Sequence, residues 1–305
     1  MPHQIFIDGA AGTTGLEIAD RLAGRDEFAL ITLADADRKD AGKRREAMDS
    51  ADFVILCLPD DAARDAAAMV TSPHTRIIDA SSAHRTADGW TYGFPELSAQ
   101  QRRAIASAAR VSNPGCYPTG FLAVVAPLVA AGLLDAAAPL SVHAVSGYSG
   151  GGKALIDRFR ARSAPGFRSY GLTLEHKHLP EMQYYAGLAQ PPVFAPAVVP
   201  VFRGMIVEVP LAAGMADADA VRACLTAHYA GSPLIRPGAV QDGELLLHDD
   251  VPGWDGLEWF VFAGGNGQVR LAARLDNLGK GASGACVQNL NLMAGLPETA
   301  GLRAG

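Results

Sequence analysis

The sequence predicts a doubly wound α/β domain followed by an α+β region. Three observations predict it. Short apolar runs alternate with helical segments over roughly the first 115 residues. A glycine triplet separates the first such pair, and further strand-like runs are grouped in the middle of the chain with few helices among them.

QIFID (4–8) is an apolar run that ends at Gly9, and TGLEIADRLAG (14–24) follows with helical spacing. Leu16, Ala19, Leu22 and Ala23 share one face of that helix, and Gly24 offers a stop. FALITLAD (28–35) reads as a second strand. DFVILCLP (52–59) is a third, almost wholly apolar, as a strand buried on both faces of a parallel sheet must be. DAARDAAAMV (61–70) is helical, and TRIIDAS (75–81) is a further strand ending in polar residues. In the middle region LSVHAVSG (140–147), PPVFAPAVVPVF (191–202), GMIVEVPL (204–211) and QVRLAARLDN (268–277) are strand-like, with the helical DADAVRACLTAHYAG (217–231) among them. GASGACVQNLNLMAGL (281–296) reads as a last helix, glycine-rich at its start as a helix facing a ligand often is.

The chain has 305 residues, enough for two domains, with 49% apolar and 19% charged residues, ample for a packed core. A net charge of −6 argues against a nucleic-acid backbone as partner, and the basic stretch DADRKDAGKRRE is interrupted by acids. MPHQIFIDGA lacks the regions of a signal peptide. The longest apolar stretch, 121–134, is too short to span a membrane and contains Pro127. Cys57, Cys116, Cys224 and Cys286 are scattered without a CxxC pair, which fits a reducing cytoplasm and neither a disulfide scaffold nor a zinc site.

Gly9, Gly12 and Gly15 of GAAGTTG permit a tight turn and close approach of a pyrophosphate to the helix N-terminus, a Rossmann-like arrangement. The spacing is GxxGxxG rather than GxGxxG, so a purely structural turn is the alternative. Asp35 lies where an acid would hold the ribose hydroxyls of NAD, yet Arg38 and Lys39 follow and would suit a 2′-phosphate.

SNPGCYPTG (112–120) places Cys116 in the first turn of a helix, where Pro118 is tolerated because its missing N–H has no intrahelical partner. The positive helix end favours thiolate, so Cys116 reads as a nucleophile, the alternative being a small core cysteine. EHKHLPEM (175–182) offers His176 and His178 for general acid/base work, with Pro180 and Glu181 opening a helix; a metal pair lacks further ligands at suitable spacing. SGYSGGGK (146–153) combines hydroxyls, flexible backbone and Lys153, lining a substrate or nicotinamide pocket or forming a plain loop. In DASSAHR (79–85), Ser81, Ser82 and Arg85 are candidate anion ligands, with helix capping as the alternative; His84 and His143 carry less weight.

These motifs, with YGFPEL (92–97) and DNLGKGASG (276–284), occur in order across nearly the whole chain, which resembles the short form of the N-acetyl-gamma-glutamyl-phosphate reductases in the semialdehyde dehydrogenase family. DADRKD departs from the Ser-Arg pair of longer forms. The resemblance implies NADPH-dependent reduction of N-acetyl-L-glutamyl 5-phosphate through a thioester on Cys116, in arginine biosynthesis. His178, or His176, would be the acid/base. It implies cofactor contacts at Gly9, Gly12, Thr13, Thr14, Gly15, Arg38, Lys39, Ser81, Gly150 and Asn277. Substrate contacts are expected at Ser82, Arg85, Asn113, Ser146, Lys153 and Glu181. Residues 1–115 with 277–305 would form the NADP(H)-binding domain and 116–276 the catalytic and oligomerisation domain of a cytoplasmic homodimer or homotetramer, without metal, membrane or nucleic acid. An aspartate-semialdehyde dehydrogenase, a catalytically silent NADP-binding sensor and, more remotely, a cysteine amidase are the competing readings.

Overall fold

The structure, a computed structural model, describes residues 1–240, 242–248 and 253–303. It divides into two units: Met1–Pro114 with Ala282–Leu302, and Gly115–Gly281 with Arg303.

In the first unit β1 (His3–Asp8), α1 (Thr13–Leu22), β2 (Phe28–Ile31), α2 (Ala41–Ser50), β3 (Phe53–Leu56), α3 (Asp60–Met69) and β4 (Arg76–Asp79) alternate, all but α2 as the sequence leads one to expect. β5 (Thr91–Tyr92), α4 (Ala99–Ser107) and β6 (Arg110–Ser112) complete the order β2-β1-β3-β4-β6-β5, parallel throughout. The pleat sorts the core into two layers. Ile5 and Ile7 of β1 pack with Ile18 and Leu22 of α1 and with Val287 and Leu290 of the chain's closing helix. Phe6, between them, faces Met48 of α2 and Ala66 of α3. β2 ends at Ile31, short of the apolar run, where its pairing with His3–Phe6 of β1 stops. The polar helix α2 leaves no hydrophobic period to read: it buries only Ala47 and Met48 and starts where the Asp40 side chain accepts the Lys43 N–H at 2.8 Å.

The second unit opens with α5 (Cys116–Ala130), then β7 (Ser141–Gly147), α6 (Gly152–Arg160), β8 (Arg168–Ser169), α7 (Leu179–Ala186), β9 (Val193–Val199), β10 (Met205–Leu211), α8 (Ala218–His228), β11 (Ile235–Pro237), β12 (Leu257–Ala263) and β13 (Val269–Leu275). The strands form one mixed sheet in the order β11-β12-β13-β10-β7-β9-β8. α5 lies so close to this sheet that a Cβ at Gly120 would meet Val207 Cγ2 at 2.7 Å and Leu275 Cδ2 at 3.3 Å. Pro127 breaks the helical ladder of α5 and frees the carbonyl four residues earlier; that carbonyl, of Ala123, accepts the Tyr229 hydroxyl at 2.7 Å. Cross-strand ion pairs, Glu208–Arg270 and Glu258–Arg274, join the strands at polar positions.

The last helix begins later than its pattern suggests. Gly279–Ser283 form a π-helical turn, and regular α9 spans Gly284–Met293. The Gly281 N–H reaches the Asp276 carbonyl, five residues back, at 3.0 Å. Residues 277–281 group with the second unit because Asn277 is tied there: its Nδ2 donates to Ser149 Oγ (2.9 Å) and its Oδ1 accepts the Gly204 N–H (2.9 Å). Among the described residues no helix is long and apolar enough to cross a membrane.

Candidate active site and nucleotide pocket

Gly9 has φ +89°, which only glycine adopts easily, and a Cβ there would lie 2.3 Å from the Cys57 carbonyl oxygen. A Cβ at Gly15 would lie 2.6 Å from the Gly9 carbonyl oxygen, so the β1–α1 turn folds tightly back on the helix. Gly12 is the N-cap of α1 with no side-chain cap, and Thr13 and Thr14 open the helix, leaving first-turn N–H groups for an anion. Beside this turn is a cavity of about 470 Å³ lined by Gly9, Ala10, Thr32, Arg38, Lys39 and Arg44 among others. A glycine cradle, an uncapped helix start and a cationic wall fit a dinucleotide. Asp35 is exposed and pairs with Arg38 at 2.9 Å, outside the cavity wall.

At the C-terminal end of β4, the fully buried Asp79 accepts the Ser81 N–H (2.9 Å) and hydroxyl (2.7 Å), and lies 2.6 Å from His84 Nδ1. The His84 ring stacks on Trp90 at 4.0 Å. Ser82 donates to Asp60, and Arg85 Nε donates to the Asn113 carbonyl at 3.0 Å. Asn113 Nδ2 in turn donates to the Ala282 carbonyl, and its Oδ1 accepts from Asn289 Nδ2. Ser82, Arg85 and Asn113, expected to meet substrate, make these bonds within the first unit. His84, given little weight by sequence, and Asp79, not singled out there, anchor the turn after β4; a strand-end Asp five residues before His is the signal that was available.

In the second unit Cys116 is the first residue of α5 and half-buried. Its N-cap, Gly115, has no side chain, so the cap comes from elsewhere: Glu181 Oε2 accepts the Gly115 N–H at 3.1 Å. Glu181 is 1% exposed, and its Oε1 lies 4.0 Å from His178 Nε2. His178, buried at the N-cap of α7, donates its backbone N–H to His176 Nδ1 at 3.2 Å. A neutral His176 must therefore carry its proton on Nε2. The two imidazoles meet edge-on at 4.7 Å.

Tyr117 and Tyr170 wall the histidines, with ring centroids 6.2 and 5.5 Å from His176. The Tyr170 hydroxyl donates to that of Tyr117 (3.3 Å), which donates to the Ala197 carbonyl (3.1 Å). Burial raises both phenols, Tyr170 to about 12, and charge on Cys116 adds to each shift. Both stay protonated donors beside the thiol.

The π-turn explains a residue that the sequence pattern did not single out. A Cβ at Gly281 would lie 2.9 Å from Cys116 Cβ, so only glycine lets the turn pass over the cysteine. Asn277 orders the Ser146–Gly151 loop through Ser149, and a Cβ at Gly150 would lie 3.2 Å from its Nδ2. Ser146 is buried, its hydroxyl bonding the Gly147 carbonyl at 3.0 Å, whereas Lys153 is exposed on α6. Among the described residues no cluster of His, Cys, Asp and Glu has the makings of a metal site.

Two family descriptions match the chain, "Semialdehyde dehydrogenase, NAD binding domain" over residues 4–106 and "Semialdehyde dehydrogenase, dimerisation domain" over 116–277. The N-acetyl-gamma-glutamyl-phosphate reductase of Trichormus variabilis is 49% identical, covering 98% of this chain and 99% of its own. N-acetyl-gamma-glutamyl-phosphate reductase 2 of Pseudomonas putida is 50% identical over 97% and 98%, and the Brucella ovis reductase is 48% identical over 97% and 100%. Two solved structures share the fold. Aspartate semialdehyde dehydrogenase II of Vibrio cholerae has TM-score 0.72 at 18% identity, and a probable aspartate-semialdehyde dehydrogenase of Pseudomonas aeruginosa has 0.73 at 20%. Each covers 96% of this chain and 98% of its own.

Proposed function

The chain belongs to the semialdehyde dehydrogenase family, and from that premise we propose that it reduces N-acetyl-L-glutamyl 5-phosphate to N-acetyl-L-glutamate 5-semialdehyde and phosphate, in arginine biosynthesis. The observation that carries the reading is Cys116 at the start of α5, capped through Glu181 and with His178 on that same carboxylate, in a chain half identical over its length to such reductases.

The thiolate of Cys116 attacks the acyl-phosphate carbonyl; the C–S bond forms, the C–O bond breaks, and phosphate leaves. The helix N-terminus favours the attacking anion and donates to the oxyanion that develops. Reduced NADP, when bound to the first unit, supplies hydride for the resulting thioester. His178 gives the new alkoxide a proton and takes it back as the thiohemiacetal collapses, which returns the thiolate and frees the aldehyde. Glu181 holds the charged imidazole in place, and His176, bonded to the His178 backbone, aims it.

Cofactor contacts are assigned to the glycine turn, Thr13, Thr14, Arg38 and Lys39, with NADP preferred to NAD because the cavity wall is cationic. Ser81 is assigned to the cofactor contacts of the first unit, and Ser146, Gly150, Lys153 and Asn277 to the loops of the second unit that serve the reaction. The assembly is a homodimer, or a homotetramer built from it, formed through the second unit; the dimerisation-domain match supports this.

The test is phosphate-dependent reduction of NADP with N-acetylglutamate semialdehyde and, separately, aspartate semialdehyde. Turnover with the first alone is expected. Preference for the second assigns the aspartate-semialdehyde reaction, and turnover with neither leaves a nucleotide-binding sensor.

A further inference from the structure

Asp8, the last residue of β1, puts a buried carboxylate into the wall of the nucleotide cavity. Left alone there, it would repel every phosphate that enters, at a cost that grows with burial. Arg44, on α2, answers it: Nη2 lies 2.6 Å from Oδ2 and Nε 3.3 Å from Oδ1. This side-on fork engages two of the five guanidinium N–H groups and leaves three for another anion.

The three cations on this wall are not equivalent. Arg38, paired with Asp35 as Arg44 is with Asp8, is half exposed, and Lys39 is exposed. Arg44 has a side chain only 17% exposed, on a helix fixed by its Asp40 cap and by the buried Ala47 and Met48. A cation fixed out of solvent is less screened and loses less freedom on binding than a solvated one.

The geometry points to Arg44, held by Asp8, as the residue that sets preference for a 2′-phosphorylated adenosine. Arg38 and Lys39 are secondary. This rests on the NADP reading above. The ligand chemistry is a phosphate monoester on the adenosine ribose, met by a planar donor already neutralising a carboxylate.

The test is equilibrium titration of the full-length protein, by calorimetry, with adenosine 2′,5′-bisphosphate and with adenosine 5′-monophosphate, alongside thermal unfolding. The unmodified protein should prefer the 2′-phosphorylated ligand. Arg44→Gln should shrink that preference by about tenfold or more, the scale of a charge-assisted fork. The Arg38→Gln/Lys39→Gln pair should shrink it by about two- to threefold. Because Arg44→Gln strands the Asp8 carboxylate, Asp8→Asn/Arg44→Gln is measured as well; it should fold and show the same loss. Restored preference in that variant would mean that Asp8's bare charge caused the effect, and would overturn the assignment. So would an unchanged preference in Arg44→Gln. Equal binding of both ligands by the unmodified protein would instead remove the NADP reading itself.

Discussion

Glu181 Oε2 accepts the N–H of Gly115 at 3.1 Å, so one buried carboxylate caps the helix that presents Cys116. Its other oxygen lies 4.0 Å from His178 Nε2. One side chain therefore fixes both the nucleophile's helix and the acid/base. Glu181→Gln keeps an acceptor for the cap and removes the charge that steadies imidazolium. It is expected to lower kcat by about tenfold or more, with alkylation of Cys116 little changed. Glu181→Ala should depress both. Equal effects of the two substitutions on both readouts would separate Glu181 from the histidine.

Cys116→Ser should reduce aldehyde oxidation by about 10³-fold or more while NADP binding persists, since a serine hydroxyl is far less acidic than a thiol. Steady-state rates and fluorescence titration measure the two. Substantial turnover in the variant would exclude a thioester.

The histidines should separate by parameter. His178→Asn is expected to lower kcat by about 10²–10⁴-fold, and His176→Asn to act more on KM. A pH series for both variants gives each parameter. A larger kcat loss in His176→Asn reverses the roles.

Thiol chemistry should distinguish Cys116 from Cys57 and Cys286. Burial, with Asp79 and Asp8 adding to it, pushes the Cys57 thiol up to about 12, and burial with Cys57 and Asp79 nearby raises Cys286 well above the ordinary range. At pH 8 the Cys57 thiolate fraction is then on the order of 10⁻⁴. A raised thiol pKa favours the folded state fully below the unfolded value, and that contribution is lost as pH climbs through about 12 for Cys57. Iodoacetamide at pH 8, read by peptide mass spectrometry, should label Cys116 and spare Cys57 and Cys286 in the folded protein. Labelling of Cys57 at a comparable rate would contradict the environment described.

Gly281→Ala should place a Cβ 2.9 Å from that of Cys116 and 3.1 Å from the Asp276 carbonyl oxygen. Overpacking of this kind costs about 1–3 kcal/mol, and relief requires moving either the π-turn or the thiol. A kcat reduced by about tenfold, with unfolding temperature lowered by a few degrees, is the expected result. Unchanged kcat would show that the thiol tolerates the displacement.

The sequence by itself determined the alternating architecture, the glycine turn and the position of Cys116 at a helix start, because each depends on neighbours within a few residues. Apolar periodicity marks β1, β3 and α1, backbone freedom marks Gly9, and Pro-Gly before the cysteine marks the end of a turn. The polar α2 and the two-residue strands β5 and β8 carried too little buried surface to leave a pattern. Only the tertiary structure decided the partners. Glu181 is 66 residues from Gly115, and Arg44 is 36 residues from Asp8. The glycine that Cys116 requires above it lies in a turn whose register is π-helical rather than α-helical. Such pairings are set by which chain segments the two sheets bring together, and no local propensity encodes them.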